Sequence, residues 1–258
     1  MNTRTKAAGS GVLLESMPGA FKFKIFPHQT VSALFTDRGK DFSIRHNGLS
    51  RAFALRQDFL THLGLPAKNL VCLKQVHSSR IVYVAGDSSV GNGQDFERNL
   101  PCADALITDR KDVPLAVFIA DCLAVYFFDP EKKIIAIAHA GWRGSAEGIC
   151  RKVINTLTER FGARQEDLLV ALSPSIRPCC YEVGPELRTF FKESFIERDG
   201  KLFLDLIQEN KEQMMSLGVK KEHIFDPGLC TACQNDEFFS HRKEGVKSGR
   251  MMAAIMLH

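Results

Sequence analysis

Residues 113–144 read VPLAVFIADCLAVYFFDPEKKIIAIAHAGWRG, and this stretch decides the fold class. Its two apolar runs are rich in β-branched and aromatic residues, which is typical of buried strands. DPEKK (129–133) supplies a turn between them, so the stretch predicts a pair of buried strands. Asp121 and Cys122 interrupt the first run with a carboxylate and a thiol.

The next segment predicts a helix. SAEGICRKVINTLTERFG (145–162) places Ile149, Val153 and Leu157 on one helical face. Ser145 suits the N-cap, and Gly162 is typical of the position beyond the last turn. AHAGWRG (138–144) therefore joins a buried strand to a helix start, where α/β proteins often carry reactive groups.

Helix and strand patterns are both present in the rest of the chain. Helices are predicted in RAFALRQDFLTHLGL (51–65), in GPELRTFFKESF (184–195) with Pro185 at the start, and in DLIQENKEQMMSLG (205–218), where Asp205 and Gln208 form a capping-box pattern. Strands are predicted at 70–75, 80–84, 167–176 and 251–257, and a loop at 86–101. The pattern predicts a mixed α/β protein, and its length is compatible with one large domain or two small ones.

Composition restricts the class of protein. The 258 residues are 45% hydrophobic and 25% charged, and no apolar run approaches the ~18 residues that span a bilayer. The N-terminus has only a short VLL patch, so we expect a cytoplasmic protein in which the eight cysteines are mostly free thiols. The net charge of +4 is spread along the chain, so neither nucleic-acid nor membrane binding is expected.

Three residues near predicted strand ends could carry chemistry: His77, Cys122 and His139. Two imidazoles and a thiolate form a three-ligand set for a tetrahedral metal whose open fourth position activates water. Alternatively, Cys122 is a nucleophile and His139 its base. The spacing matches no local zinc-finger pattern, so a core histidine and an inert thiol are a third interpretation.

Other reactive side chains are weaker candidates. Cys230 and Cys233 form a CxxC without a second pair at zinc-ribbon spacing, which favours two free thiols over a metal site. The adjacent Cys179 and Cys180 are expected to pack. Arg143 could hold a phosphate or form a salt bridge, and its neighbour Trp142 could fill the core or stack on a purine. The chain contains no dinucleotide-binding GxGxxG and no P-loop.

Several motifs, in order, resemble those of the YfiH-type family of laccase-domain proteins. They are LKQVHSSRIV, ADALIT, IADCLAVYFFD, AIAHAGWRG, LSPSIRPCCYEVG and CTACQNDEFFSHRKEGVKSGRM. The resemblance runs from about Phe35 to the C-terminus. It implies a single α/β domain at 35–258, similar to cysteine hydrolases of the cytotoxic necrotizing factor type and preceded at 1–34 by an N-terminal leader and a first strand. It also implies a purine nucleoside phosphorylase that deaminates adenosine and phosphorolyses methylthioadenosine, with nucleosides and phosphate as its partners.

The resemblance implies roles for particular residues. His77, Cys122 and His139 match the family's metal ligands, for zinc or alternatively copper, and they would form the catalytic centre. Arg38 and Asn47 match substrate-contacting positions less closely, because FTDRGKDFSIRHN (35–47) abbreviates the family's segment. Arg143 is a third candidate for substrate binding, from its own position at the predicted helix start. Ala124 also departs from the usual ADCLP. Three other functions stay open: a cysteine-type amidase acting on a peptidoglycan precursor, a non-enzymatic metal-binding or partner-binding domain and, least favoured because the histidines are scattered, a copper-dependent polyphenol oxidase.

Overall fold

A computed structural model describes residues 14–85 and 100–258. The first 13 residues of the predicted leader and residues 86–99 of the predicted loop lie outside the described residues. No helix within the two described ranges is long and apolar enough to cross a membrane.

Fourteen strands are present in the described part of the chain. In order they are β1 (Leu14–Met17), β2 (Ala20–Phe23), β3 (Val31–Thr36), β4 (Ile81–Tyr83), β5 (Ala105–Thr108), β6 (Leu115–Ile119), β7 (Leu123–Asp129), β8 (Ile134–Ala140), β9 (Leu169–Leu172), β10 (Glu182–Val183), β11 (Phe195–Arg198), β12 (Lys201–Leu204), β13 (Ile224–Phe225) and β14 (Met251–Leu257).

Six α-helices accompany these strands among the described residues. They are α1 (Ile44–Asn47), α2 (Leu49–His62), α3 (Trp142–Ala146), α4 (Ile149–Phe161), α5 (Leu206–Met215) and α6 (His241–Glu244). Asp205 caps α5 by accepting a hydrogen bond from the Gln208 N–H at 2.9 Å, which confirms the predicted cap. The other half of the predicted capping box does not form, because the Gln208 side chain donates to Glu212 and the Asp205 N–H donates to the Ser194 carbonyl. Gly162 ends α4 in the left-handed conformation, also as predicted.

The strands form two large sheets and one small one. The first has the order β1-β2-β3-β14-β6 and is antiparallel throughout. The second has the order β13-β9-β7-β8-β5-β4. Each edge strand, β13 and β4, is parallel to its neighbour, whereas the inner strands pair antiparallel. A three-stranded sheet, β10-β12-β11, lies apart from both. The predicted mixed α/β class is therefore confirmed.

The two large sheets face each other and carry helices on their outer sides. On β7, Ala124, Tyr126 and Phe128 enter the core between the sheets, whereas the intervening residues pack with α4. Helix α2 covers the outer face of the first sheet. Because β7 is covered on both faces, all seven of its residues are buried. This explains why its sequence is a continuous apolar run and does not alternate between apolar and polar residues.

The interruption at Asp121 and Cys122 is where the chain passes from one sheet to the other. Strand β6 pairs with β14 in the first sheet, and β7 pairs with β8 in the second. Asp121 adopts a left-handed backbone conformation, with φ of 85°. The predicted strand pair corresponds to β7 and β8. Cys122 is partly exposed at the point where the chain leaves the first sheet for the second.

Some sequence predictions were wrong. The strand predicted at 70–75 is reduced to isolated bridges at Val71 and Lys74, and only Pro185–Thr189 of the helix predicted at 184–195 forms, as a 3-10 turn. Ser145 is not an N-cap, because α3 begins at Trp142 and α4 only after Gly148, where φ is 72°. Local helix and strand propensity could not predict these differences, because residues distant in sequence decide which of these segments form regular elements.

The described N-terminal residues join the first sheet. Strand β3 runs across residue 34 and pairs with both β2 and β14. The division of the chain at residue 34 stays a prediction.

Candidate functional site

The hairpin β7–β8 brings two of the three candidate ligands together. Its register pairs Ala124 with His139, so Cys122, two residues before Ala124, lies beside that histidine at the end of the hairpin. His77 approaches from the connection before β4. One donor atom from each of the three side chains lies within 4.8 Å of the other two, and the two imidazole centroids are 5.0 Å apart.

A buried carboxylate, Asp104, holds the His77 turn in place. Its oxygens accept hydrogen bonds from the backbone N–H groups of Val76 (3.3 Å), His77 (3.0 Å) and Ser78 (2.7 Å), and from the Ser78 hydroxyl (2.8 Å). His77 has a φ of 59°, a strained conformation for this residue type. The carboxylate stabilises this strained turn and thereby directs the His77 side chain towards the site.

Asp104 also orients His139. Its Oδ1 lies 2.9 Å from His139 Nδ1, and both side chains are almost completely buried. The contact occupies Nδ1 and leaves Nε2 for a ligand or a proton. Burial would raise the carboxyl pKa, but hydrogen bonds from His139 and Ser78 lower it to about 2. Asp104 is therefore ionised throughout the neutral range.

Cys122 and His139 each stabilise the charged form of the other. Burial alone would raise the thiol pKa, but the facing His139, with help from His77, lowers it to about 6. Burial opposes the charged imidazole, yet Cys122 and Asp104 together raise the pKa of His139 to about 9. In the metal-free protein at neutral pH, the pair is thus a thiolate facing an imidazolium. A thiolate is both the metal-binding and the nucleophilic form of cysteine.

Gly141 leaves room for this cluster. A Cβ at this position would lie 3.0 Å from the Cys122 Sγ and 3.2 Å from the His77 Cδ2. Its φ of −75° is open to any residue, so glycine is needed here for close approach and not for backbone conformation.

Behind Cys122, Asp121 is held by hydrogen bonds from distant loops. Its carboxylate accepts one from the Thr231 hydroxyl and one from the Arg242 backbone N–H, both at 2.6 Å. Its carbonyl accepts a third from the Ile176 N–H at 2.9 Å. These contacts secure the strained residue next to Cys122, so the loops at 176 and 231 contribute to the position of the thiol.

Two adjoining lobes share His77 and Cys122 on their walls. The basic lobe, of about 460 Å³, is lined by Arg45, Lys74 and Arg250 among others. The aromatic lobe, of about 340 Å³, is lined by Trp142, Arg143, Tyr181 and Arg242. His241 lies on the walls of both lobes. A ligand that reaches the three donor atoms can thus extend towards cations on one side and aromatic rings on the other.

The structure separates the three candidate substrate-binding residues. Arg143 lines the aromatic lobe with its guanidinium 4.2 Å from the Trp142 ring centroid. Arg38 lines neither lobe and pairs with Glu244 at 2.6 Å, and Asn47 donates to the carbonyls of Asp41 and Ser43. A substrate role for these three residues stays a prediction.

Sequence reasoning missed Asp104 and the cations of the basic lobe. The one available signal for Asp104 was an acid at the edge of the apolar run ADALIT (103–108). Arg45, Lys74 and Arg250 come from three segments far apart in sequence, and no local pattern links them.

Comparisons with known proteins identify the family and similar folds. Residues 50–258 match a family described as multi-copper polyphenol oxidoreductase laccase. The chain is 37% identical to purine nucleoside phosphorylase YlmD of Geobacillus stearothermophilus, over 75% of this chain and 74% of that protein. It is 30% identical to adenosine deaminase RL5 of an unknown prokaryotic organism, over 80% and 81% of the two chains. The crystal structure of YlmD from G. stearothermophilus superposes with a TM-score of 0.87 at 31% identity, covering 95% of this chain and 99% of that one.

Proposed function

This chain belongs to the laccase-like family of multi-copper polyphenol oxidoreductases, and on that premise we propose that it is a zinc-dependent purine nucleoside phosphorylase. We include adenosine deamination and methylthioadenosine phosphorolysis in the proposal. The observation that carries it is the junction of His77, Cys122 and His139 with a basic and an aromatic lobe. The names of the relatives, phosphorylase and deaminase, point to the same chemistry.

The three donor side chains fit a zinc ion. Two imidazoles and a thiolate are common ligands of catalytic zinc, and the carboxylate–histidine contact of Asp104 with His139 is typical of a supported zinc ligand. When bound, zinc would supply Lewis acidity that activates water near neutral pH. Copper is the alternative metal for this donor set. A multi-copper centre needs many convergent imidazoles, and only two of the eight histidines belong to this cluster.

The two lobes suit the two halves of a phosphorolysis reaction. Trp142 and Tyr181 present planar rings to a purine, and Arg45, Lys74 and Arg250 supply positive charge for phosphate. With the ribose at the junction, a phosphate oxygen would attack C1′ while the glycosidic bond breaks and the base leaves with the bonding electrons. Without phosphate, water would add at C6 of adenosine and ammonia would leave.

The experiment follows adenosine and inosine by chromatography, with and without phosphate. We expect phosphate-dependent release of free base and phosphate-independent conversion of adenosine to inosine. Both activities should be lost in Cys122→Ala and kept in the control Cys102→Ala, which changes an exposed cysteine outside the site. Full activity in Cys122→Ala would refute the proposal.

A second variant separates the lobes. Arg250→Met removes a cation from the basic lobe and should raise the KM for phosphate while leaving adenosine deamination nearly unchanged. An equal loss of both activities would contradict the assignment of phosphate to this lobe.

A cysteine-type amidase is a second candidate, favoured by one observation. Cys122, His139 and Asp104 form a thiolate, an imidazole and an orienting carboxylate, as nucleophilic catalysis requires. The likeness to cytotoxic necrotizing factor-type hydrolases stays part of this candidate. Cleavage of a peptidoglycan precursor that resists metal chelators would favour it over phosphorolysis. For either activity we propose a cytoplasmic location, in keeping with eight free cysteines.

A further inference from the structure

Four cysteines outside the candidate active site converge on one point. Cys179 and Cys180 lie in the turn after β9, and Cys230 and Cys233 begin the turn after β13. Their four sulfurs lie within 4.8 Å of one another. Sequence reasoning assigned the first pair to packing and the second to a loop with free thiols. It missed the cluster because the pairs are more than 50 residues apart in sequence.

The sulfur separations match metal ligation and do not match a disulfide. Cys233 Sγ lies 3.5 Å from Cys179 Sγ and 3.4 Å from Cys180 Sγ, whereas a disulfide bond is about 2.05 Å long. Four sulfurs about 2.3 Å from a tetrahedral zinc ion lie about 3.8 Å from one another. A small adjustment of the side chains would therefore complete the tetrahedron.

Backbone hydrogen bonds close both cysteine turns. In the first turn, the Arg177 carbonyl accepts hydrogen bonds from the N–H groups of Cys180 and Tyr181, both at 2.8 Å. In the second turn, the Cys230 carbonyl accepts one from the Gln234 N–H at 3.0 Å. Two hydrogen-bonded turns therefore carry the four sulfurs.

Positive charge also lies beside the cluster. The Arg198 guanidinium donates to the Cys179 carbonyl at 3.3 Å, so a cation accompanies the first turn. Four thiolates around a divalent cation carry a net charge of −2, which this arginine partly offsets. Without a central cation, four thiolates at these distances would repel one another strongly.

We propose that Cys179, Cys180, Cys230 and Cys233 bind a second zinc ion, which is structural and separate from the His77–Cys122–His139 cluster. Four sulfur ligands close the coordination sphere and leave no open position for substrate. The proposal does not depend on the reaction that the other cluster catalyses.

The proposed ion would join two loops that support the catalytic centre. Tyr181, which lines the aromatic lobe, directly follows Cys180. Thr231, which bonds to the Asp121 carboxylate, directly follows Cys230. The two turns are otherwise linked by the backbone bonds between Ser175 and Thr231 and between Ser175 and Leu229. The ion would therefore hold both the wall of the aromatic lobe and the support behind Cys122.

The test is the zinc content of the full-length protein purified under reducing conditions with zinc in the growth medium. Cys179→Ser and Cys233→Ser are the informative variants, because both residues are exposed and their replacement leaves the core intact. Each should lose one zinc ion per chain relative to the wild type, and His77→Ala should keep that ion. Cys102→Ser, the matched control at another exposed cysteine, should bind as much zinc as the wild type.

Two further measurements keep the outcome decisive if a variant folds poorly. Cobalt-substituted His77→Ala should show the intense visible absorption of a tetrahedral tetrathiolate site, and added zinc should abolish it. The four cysteines should resist alkylation in the native wild type until a chelator is added. An unchanged zinc content in Cys233→Ser, a disulfide within the cluster in the freshly purified protein, or rapid alkylation before chelation would each overturn the proposal.

Discussion

Replacing Asp104 by asparagine tests how the candidate site is built. The carboxylate accepts five hydrogen bonds, three on Oδ2 and two on Oδ1. An asparagine can keep one oxygen, and the Oδ2 side, with three donors, is the better place for it. Its amide NH₂ would then face His139 Nδ1 and the His77 N–H.

The amide would change the tautomer of His139. Nδ1 would have to accept a hydrogen bond from the NH₂ group, which places the ring proton on Nε2, the nitrogen that would bind a metal. Loss of a carboxylate that supports a metal-bound histidine lowers metal affinity by about 10- to 100-fold, or about 1.4 to 2.7 kcal/mol. We expect Asp104→Asn to weaken zinc binding within this range.

The same substitution should destabilise the fold in a pH-dependent way. A carboxyl pKa of about 2, against the ordinary 3.8, corresponds to about 2 kcal/mol of stability at neutral pH. Because the pKa is lowered in the folded protein, this contribution is complete above pH 3.8 and is lost as the pH falls through 2. The difference in stability between wild type and variant should therefore shrink in acid.

The assay combines zinc competition with a chelator and urea unfolding of the metal-free protein at pH 7 and pH 3. Asp41→Asn is a matched control, since Asp41 also caps a turn and contacts a histidine, His46, at 2.6 Å. It should lower stability without weakening zinc binding. Unchanged zinc affinity in Asp104→Asn would refute the role of this carboxylate.

Three other predictions follow from single contacts. Gly141→Ala should reduce metal binding at least tenfold, because its Cβ would press on Cys122 Sγ at 3.0 Å and on His77 Cδ2 at 3.2 Å; metal content measures this. In metal-free protein, alkylation of Cys122 followed by mass spectrometry should rise with pH through a midpoint near 6, since deprotonation produces the reactive thiolate. Tyr126→Phe should cost about 1 kcal/mol in urea unfolding, because the Tyr126 hydroxyl donates to the Leu34 carbonyl between the sheets at 2.7 Å.

Each of these predictions has a control and a contradicting outcome. Gly184→Ala is the control for Gly141→Ala, because its Cβ displaces the flexible Glu186 carboxylate and should leave metal binding unchanged. A loss of metal in Gly184→Ala as large as in Gly141→Ala would contradict the steric reasoning. The buried Cys150, whose pKa is raised by burial, should react only after unfolding, and parallel alkylation of both thiols would contradict the lowered pKa of Cys122. Tyr83→Phe, the control for Tyr126→Phe, removes an exposed hydroxyl bonded to Asp109 and should leave the free energy of unfolding nearly unchanged. A loss of stability as large as in Tyr126→Phe would show that burial of the Tyr126 hydrogen bond adds nothing.

The local sequence pattern was enough to predict the elements whose residues are all buried or whose ends are fixed by neighbouring residues. The run from 123 to 140 is apolar because β7 and β8 are covered on both faces, so its composition alone indicated buried strands. The cap at Asp205 and the terminator Gly162 were also readable, because each acts within a few residues of its own position. The strand predicted at 70–75 does not form, because its bridge partners among the described residues, Leu115 and Cys102, are remote in sequence and make single bridges.

The sequence by itself determined the mixed α/β class and singled out His77, Cys122 and His139 as candidates at strand ends. Only the tertiary structure brought the three donors within 4.8 Å and placed Asp104 between two of them. It alone gathered four cysteines from two turns, and the basic side chains of one lobe from separate segments. The physical reason is that periodicity and capping reflect neighbours along the chain, whereas a site depends on which distant strands pair and in what register.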